Sequence, residues 1–461
     1  MGGLPAPHAL SGGAASGRNV SRQSLRLRLG HLSQEPSGAP WRGRMAVANS
    51  QPVHHPMTRI KIDLGSGQKV GIVWQIGSYS GWGVLGLHIA RHMMAAGDLE
   101  PMPIYPLSSV DRNAVDPAFL ERLTANANAI AAAMASRPDP SVMVRGSFPM
   151  LHGLGNGLTP APLAATFAGT PDLAIAFLED TNLGPEVVAR GQRYACIAAG
   201  ASWTAEVLRG AGLERVVVCP QGVDATVFHP GPPRAHARDR FIVYSGGKLE
   251  FRKGQDVVVA AFRRFHQRHP DALLVAGWFS PWPTLARSMS DSPHLAEAPG
   301  LDEKGAVDVA GWLSRNGLPE GSFQVAPAVS NRAMGKVLRQ ADAALFPNRC
   351  EGGTNLVAME AIACGIPTIL SANTGHLDLI ADLPCLALRA QAPVPSRPGG
   401  MGTEGWGESS IDEIVEALEH VYANRDAARV QAAQAAERIR TEWSWDVQIS
   451  RMLKGLGLRA G

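Results

Sequence analysis

The feature that most constrains the fold is a strand, a glycine-rich loop and a helix that follow one another before Pro367. An apolar run ends at Pro347 and is typical of a buried strand. The residues EGGTN, Glu351 to Asn355, then form a loop, and Leu356 to Cys364 have the composition of a helix that Gly365 stops. A strand that passes through a tight loop into a helix is the repeating unit of parallel sheets, so the segment predicts an α/β fold.

The same segment predicts a site for a phosphorylated sugar. Backbone N–H groups at a helix N-terminus carry partial positive charge and can hold a diphosphate. We expect Glu351 to accept hydrogen bonds from sugar hydroxyls, and Glu360, near the middle of the helix, to reach a ribose. The other predicted contacts are Gly352, Gly353, Thr354, Asn355 and Leu356. The alternative is a buried strand, turn and helix whose acids are solvated.

A second strand, turn and helix points to the same ligand. Phe241 to Ser245 predicts a strand, Gly246-Gly247 a turn and Gln255 to His266 an amphipathic helix. Lys248 and Lys253 lie on the connection. Two cations beside a glycine turn suit a diphosphate leaving group, although lysines on a loop are often only solvated charges.

The motifs GGKLEFRKG, residues 246–254, and Cys350 to Pro367 resemble the retaining family-4 glycosyltransferases of the GT-B fold. The resemblance covers Lys69 to about Leu456. It implies two doubly wound, Rossmann-like parallel-sheet domains facing a central cleft, with the nucleotide-sugar donor on the second and the acceptor on the first. One departure is that eight residues, rather than the family's usual seven, separate Glu351 from Glu360.

The resemblance also implies the chemistry. We expect transfer with retention by front-side attack, in which the leaving phosphate helps to remove the acceptor proton. Because the chain has no Asp-x-Asp motif, Lys248 and Lys253 are expected to take the place of a metal ion, and no cofactor is expected. The expected catalytic residues are Lys248, Lys253, Glu351 and His152, and Gly247 is expected to contact the donor.

A glycine-rich segment near the start of the ordered pattern supports a rival interpretation. Val70 to Gly77 predicts a strand and Leu87 to Ala96 a helix, and Gly81, Gly83 and Gly86 between them match GxGxxG. This pattern is the dinucleotide fingerprint of NAD-dependent oxidoreductases. The predicted strand does not run directly into the first glycine, so we favour a loop that approaches the donor phosphates or the acceptor.

Two further groups lie at predicted strand ends in the first domain. His152 follows an apolar run from Phe148 to Leu151, where the resemblance implies a histidine near the reacting sugar. Glu179 and Asp180 end another strand. They can bind acceptor hydroxyls or cap the next helix, and we favour the cap.

Composition divides the chain into an N-terminal extension and a two-domain body. Residues 1–56 are rich in Gly, Ser, Pro and Arg with Glu35 as their only acid, which predicts disorder. They also resemble a transit peptide, but we favour a translation start placed upstream of the true one. The predicted parts are a first domain at 57–230, a linker at 231–240, a second domain at 241–442 and a returning C-terminal helix at 443–461.

The overall composition limits the partners. With 461 residues and 45% hydrophobic content the chain can bury two cores, and a net charge of +3 gives no case for nucleic acid. The five cysteines contain no CxxC motif, so neither a disulfide framework nor a zinc site is indicated. No apolar run is long enough to span a membrane. We expect a cytoplasmic protein with at most peripheral contact at the inner membrane face.

The sequence therefore predicts a metal-independent retaining hexosyltransferase that acts in polysaccharide biosynthesis. Its partners would be a nucleoside-diphosphate sugar and a glycan or lipid-linked acceptor. Three alternatives stay open: a non-catalytic GT-B protein that binds sugar nucleotides, an NAD-dependent oxidoreductase, and another GT-B chemistry such as sugar-nucleotide epimerisation.

Overall fold

The computed structural model describes residues 68–135, 143–162, 166–232, 240–279, 282–396 and 399–459. These residues form one compact unit. The predicted disordered extension, residues 1–56, and residues 233–239 of the predicted linker lie outside the described residues.

The first domain is built on a parallel sheet. In the described part of the chain its strand order is β2-β1-β4-β6-β7-β8, and a short parallel pair, β3 with β5, lies beside it. The strands are β1 Gln68–Val73, β2 Leu99–Pro103, β3 Val144–Arg145, β4 Met150–Leu154, β5 Phe167–Ala168, β6 Asp172–Ala176, β7 Ile197–Ala199 and β8 Val216–Val218. The helices are α1 Gly81–Ala96, α2 Pro117–Ala135, α3 Pro185–Gly191 and α4 Ser202–Gly210.

The second domain repeats this architecture. Its parallel sheet has the order β11-β10-β9-β12-β13-β14 within the described ranges. The strands are β9 Phe241–Gly246, β10 Ala272–Gly277, β11 Phe323–Val325, β12 Ala343–Phe346, β13 Thr368–Ser371 and β14 Leu386–Leu388. The helices are α5 Gln255–Arg268, α6 Val309–Arg315, α7 Asn331–Leu338, α8 Leu356–Ala363 and α9 His376–Asp382.

The chain ends in a hairpin and three helices. Strands β15 Gln391–Pro393 and β16 Gly407–Ser409 pair antiparallel. The helices are α10 Ile411–Ala423, α11 Arg425–Glu442 and α12 Trp445–Gly455. Helix α12 packs into the core of the first domain through Trp445, Ile449 and Leu453, whereas Ile439 of α11 lies in a core of the second domain. The domain limits stated from the sequence stay predictions.

Both sheets are buried apolar layers, as parallel strands require. Val70 and Ile72 of β1 are fully buried beneath α1, and Phe241 and Val243 of β9 are fully buried beside α5. The predicted α/β class with two parallel sheets is confirmed. Among the described residues, no helix combines the length and apolar character that crossing a bilayer requires.

Several predicted local structures differ from the observed ones. Strand β1 ends at Val73, and α1 begins at Gly81 rather than at Leu87. Helix α3 has Gly184 as its N-cap with no side-chain bond, so the cap assigned to Glu179 or Asp180 is wrong. The insertion between β10 and α6 contains a 3-10 segment, Pro283–Asp291.

Candidate functional site

The connection after β9 carries the predicted phosphate-binding lysines. It leaves the strand through Gly247, whose φ is +125°, and contains a 3-10 turn, Phe251–Lys253. Gly254 follows with φ +67°, and a Cβ there would lie 2.2 Å from the carbonyl oxygen of Pro347. Only glycine satisfies both conditions, so this turn is held tightly against the chain that leaves β12.

Glu351 lies opposite this turn and is almost completely buried. Its Oε1 is 2.5 Å from Lys253 Nζ, and its Oε2 is 3.4 Å from Arg252 Nη1. The side-chain amide of Asn348 also donates to Oε1. The structure therefore brings the predicted residues Lys253 and Glu351 into direct contact.

The cations decide the charge state of Glu351. Burial alone would raise the pKa of this carboxyl, but Lys253 and Arg252 outweigh burial and hold it at about 2. Burial lowers the pKa of Lys253, and the carboxylate of Glu351 opposes this. Glu351 is thus a carboxylate at neutral pH.

Arg252, which has no separate role among the sequence predictions, occupies the centre of the charged cluster. Its guanidinium lies 2.8 Å from Glu250 Oε1, 3.2 Å from Glu179 Oε1 and 3.4 Å from Glu351 Oε2. Glu179 belongs to the first domain, so this contact crosses the cleft. The three cations Lys248, Arg252 and Lys253 face the three carboxylates of Glu179, Glu250 and Glu351.

Lys248 stands at the rim of the cluster. Its side chain is 36% exposed, and its Nζ lies 3.6 Å from Glu250 Oε1 and 5.5 Å from the ring centre of Trp282. Lys248 is the more accessible of the two predicted lysines, because the side chain of Lys253 is only 10% exposed.

The N-terminus of α8 is fixed by its capping residue. Asn355 has φ +62°, its Oδ1 accepts from the backbone N–H of Ala358, and its Nδ2 lies 3.0 Å from His376 Nε2. His376 Nδ1 is 3.0 Å from Ser371 Oγ. Burial lowers the pKa of His376 to about 4, so the ring is neutral. Thr354 Oγ1 lies 3.0 Å from Met359 Sδ.

The two loop glycines contact the first domain. A Cβ at Gly352 would lie 2.6 Å from the backbone of Leu178, and one at Gly353 would lie 2.7 Å from the ring of Phe177. The hydroxyl of Thr204 donates to Gly352 O at 2.7 Å. The close approach of this loop to the first domain therefore explains why both positions are glycine.

Glu360 occupies a separate environment. It is buried in α8 and accepts a hydrogen bond from the side-chain amide of Asn331. Burial raises its pKa to about 8, although the Asn331 bond opposes the shift. At neutral pH the carboxyl is largely protonated and can donate as well as accept a hydrogen bond.

The predicted glycine-rich loop of the first domain is not a loop, and this prediction was wrong. Gly81 and Gly83 lie in the first turn of α1, because Ser80 caps the helix and accepts from the N–H of Gly83. A Cβ at Gly81 would lie 3.5 Å from Leu356 Cδ1. The N-terminus of α1 thus faces the N-terminus of α8 across the cleft.

His152 lies inside β4 rather than after a strand, which corrects its predicted position. It is buried, its Nε2 is 2.8 Å from Asp172 Oδ1, and its ring packs 5.4 Å from that of Tyr194. Its recorded partners belong to the first domain, and the structure does not bring it together with Lys253 and Glu351. Its catalytic role stays a prediction.

Comparison with known proteins finds similarity to glycosyltransferases. Residues 317–452 match the family described as Family 4 Glycosyltransferase in conflict systems. The chain is 29% identical over 187 residues to the D-inositol 3-phosphate glycosyltransferase of Xylanimonas cellulosilytica, covering 38% of this chain and 39% of that protein. It is 26% identical over 254 residues to the GDP-mannose-dependent alpha-(1-6)-phosphatidylinositol monomannoside mannosyltransferase of Mycolicibacterium smegmatis, covering 52% and 56%.

Solved structures extend the similarity to both domains. Sucrose-phosphate synthase from Thermosynechococcus elongatus superposes with a TM-score of 0.55 at 16% identity, covering 84% of this chain and 97% of that one. Anabaena HepE in complex with UDP-glucose gives 0.52 at 14% identity, covering 85% and 100%. The chain has the GT-B fold, and its residues 317–452 are similar to family-4 glycosyltransferases.

The chain aligns with only part of its curated relatives. The alignments span 39%, 52% and 37% of the first three relatives. The family match at residues 317–452 includes Glu351 and Glu360 but not the Lys248 and Lys253 connection.

A buried arginine that the sequence analysis did not assign also belongs to this site. Arg349 is fully buried and pairs in bidentate fashion with Asp256, at 2.8 and 2.6 Å. It also bonds Glu408 and the carbonyl oxygen of Phe251. Its position two residues before Glu351 is the sequence signal that could have placed it at the site. Its partners Asp256 and Glu408 are 93 and 59 residues away in sequence, so the contacts could not be predicted.

A cavity of about 410 Å³ opens elsewhere at the domain boundary. It is lined by α1, by the start of α7 and by Asp224, Thr226 and Val227. Lys253 and Glu351 do not line it, but Asn331, the partner of Glu360, does.

Proposed function

We propose that this chain is a retaining family-4 glycosyltransferase that moves a sugar from a nucleoside-diphosphate sugar to a hydroxyl group of a glycan or lipid-linked acceptor, without a metal ion. The observation that carries the proposal is the buried contact between Lys253 and Glu351, with Arg252 beside it, where the β9 connection meets the N-terminus of α8. A cationic turn and a helix N-terminus that converge are a binding site for phosphate.

The relatives support a nucleotide-sugar donor. One curated relative is GDP-mannose-dependent, and the HepE structure contains UDP-glucose. They differ in base and sugar, so we propose only the class of donor. The acceptor rests on the resemblance alone.

The charges suggest how the donor would enter. In the structure the positive charge of Lys253 is already paired with Glu351, and Arg252 is shared among three carboxylates. A diphosphate would compete for Lys253, and the freed carboxylate of Glu351 would then accept hydrogen bonds from the donor sugar. Lys248, which is partly exposed, would make the first contact.

The proposed chemical step uses the leaving phosphate. Front-side attack places the acceptor hydroxyl beside the departing diphosphate, which removes its proton while the bond to the anomeric carbon breaks. Lys253 and Arg252 would stabilise the charge that develops on the diphosphate. Loss of one such contact typically lowers the rate by about 10²-fold to 10³-fold.

Nucleotide binding and donor turnover test the proposal. Calorimetry with UDP, GDP and ADP should show binding of one of them, and Lys253→Met should weaken that binding at least about tenfold. The matched control is Lys336→Met, which removes an exposed lysine from α7. Turnover of the corresponding nucleotide sugar should persist in EDTA. No binding of any nucleoside diphosphate by the wild type would reject the proposal.

One observation favours a second candidate, a non-catalytic protein that binds sugar nucleotides. Glu351 already has three partners, Lys253, Arg252 and Asn348, so its oxygens are engaged before any donor arrives. Nucleotide binding without transfer or hydrolysis would establish this alternative. The oxidoreductase interpretation loses its basis, because its glycines lie inside α1 and not in a turn before it.

A further inference from the structure

Arg349 fixes the turn that carries Arg252 and Lys253. Its Nη1 donates to the carbonyl oxygen of Phe251 at 2.6 Å, and its guanidinium lies 3.8 Å from the centre of the Phe251 ring. Its own backbone N–H donates to Arg252 O at 2.7 Å. The two residues that precede Lys253 are therefore held by one buried side chain and its backbone.

Arg349 is itself held by two carboxylates from different parts of the chain. Asp256, in the first turn of α5, is completely buried and takes both ends of the guanidinium fork. Glu408, in β16, lies 2.7 Å from Nε, and its other oxygen lies 2.8 Å from His294 Nε2 of the insertion after β10. A planar bidentate arrangement of this kind sets orientation as well as distance.

Glu408 also connects Arg349 to the segment between β15 and β16, here called the arm, residues 394–406. The described residues of the arm dock on the first domain: Gly402 N donates to Asp180 Oδ1 at 2.8 Å, and Trp406 Nε1 donates to Glu179 O at 2.9 Å. The carboxylate of Glu179 pairs with Arg252. A chain of contacts therefore links Arg349 through Glu408 and the arm to Glu179 of the first domain, and Glu179 in turn contacts the turn at Arg252.

We propose that Arg349 is a positioning residue, which holds the Phe251–Lys253 turn at the distance from Glu351 that a donor diphosphate requires and couples this turn to the docked arm. The inference rests on the proposed function. Arg349 acts through Lys253 and Arg252, because its nitrogens are bonded to Asp256, Glu408 and Phe251 and its side chain is fully buried.

Replacing Arg349 with lysine tests the planar geometry of the guanidinium rather than its charge. Arg349→Lys keeps a cation for Asp256 but loses the planar arrangement that reaches Asp256, Glu408 and Phe251 together. We expect the variant to fold with a lower melting temperature and to bind UDP, GDP or ADP, whichever the wild type prefers, about tenfold more weakly. Glu408→Gln keeps the shape of the partner and should give a smaller loss of affinity.

The control is an arginine–carboxylate pair away from the turn. Arg429 of α11, whose side chain is 34% exposed, lies 2.8 Å from the buried carboxylate of Asp342, so Arg429→Lys perturbs an arginine–carboxylate pair outside the site. It should lower the melting temperature and leave the nucleotide affinity unchanged. Affinities are compared by calorimetry at a temperature at which circular dichroism shows every variant folded.

A double-mutant cycle separates positioning from general loss of structure. If Arg349 acts through Lys253, Arg349→Lys should cost little further affinity in the Lys253→Met background. If the fold losses of nucleotide affinity in the two single variants multiply in the double variant, Arg349 does not act through Lys253 and the inference fails. It fails as well if Arg349→Lys binds like the wild type. Absence of nucleotide binding by the wild type would instead reject the proposed function.

Discussion

At the scale of single residues, the two glutamates of the motif have opposite electrostatic environments. Glu351 lies among cations, which hold its pKa at about 2. Glu360 has an amide as its recorded partner, and burial raises its pKa to about 8. The sequence analysis predicted a contact with sugar hydroxyls for Glu351 and a ribose contact for Glu360. The structure assigns them different protonation states at neutral pH, since the cations that distinguish them come from the β9 connection, about a hundred residues earlier in the chain.

Glu360 should make stability fall as pH rises. Folding raises its pKa, so the folded state binds the proton more tightly, and this stabilisation is complete below the unfolded pKa of 4.5 and lost as pH rises through about 8. The slope between these values should be about 1.4 kcal/mol per pH unit. Urea unfolding of Glu360→Gln from pH 5 to pH 9 should lack that part of the dependence.

The control for this experiment is Glu416→Gln, on the exposed side of α10. It should keep the pH dependence of the wild type. A Glu360→Gln profile parallel to that of the wild type would show that this carboxyl does not carry the effect.

At the scale of elements, the sequence predicts strands and helices correctly where the pattern lies within the element itself. The predicted strand from Phe241 to Ser245 and the predicted helices from Gln255 to His266 and from Leu356 to Cys364 match the structure to within two residues, because apolar runs and helix-forming composition extend over each whole element. It failed at Gly81 and Gly83, where glycine suggested a turn. There the Ser80 cap and close packing, with a Cβ at Gly83 only 2.9 Å from Gly77, allow a glycine-rich helix start.

The arm was missed for a different reason. Its sequence, rich in glycine and proline, predicts a loose stretch. The described residues of the arm are held by residues more than 200 positions away, such as Asp180 and Glu179. Likewise, Lys253 and Glu351 could be proposed from motifs, but their pairing and the Arg349 contacts depend on tertiary structure.

The start of α8 should depend on both functions of Asn355. The residue supplies a cap to the N–H of Ala358 and tolerates its φ of +62°. Asn355→Ala loses the cap and adds backbone strain, so it should lower the free energy of unfolding by about 2 to 3 kcal/mol. Asn355→Gly relieves the strain and should cost less. Urea unfolding measures both, and equal losses would contradict the conformational part of the explanation.

At the scale of the whole molecule, the two domains meet through contacts beside the predicted donor site. The hydroxyl of Thr204 in α4 donates to Gly352 O, and Arg252 pairs with Glu179. Gly352 and Gly353 allow the loop to approach Leu178 and Phe177 closely. Closing a cleft around a donor excludes water and suppresses hydrolysis, so contacts of this kind bear on both affinity and fidelity.

Thr204→Val should loosen this contact without changing the size of the side chain. It leaves the carbonyl oxygen of Gly352 without the Thr204 hydrogen bond and removes a link between the domains. The free energy of unfolding should fall by about 1 to 3 kcal/mol. If closure matters for the reaction, the ratio of donor hydrolysis to sugar transfer should rise, because water gains access to the donor.

Thr368→Val provides the matched control. Thr368 is also buried and donates to a backbone oxygen, that of Ile366 at 2.8 Å, but both residues belong to the second domain. A similar loss of stability with an unchanged hydrolysis ratio is expected for this variant. Comparing the two variants isolates the contribution of the link between the domains, since each loses one buried hydroxyl bond. If both raise hydrolysis equally, general destabilisation and not domain closure controls access of water to the donor.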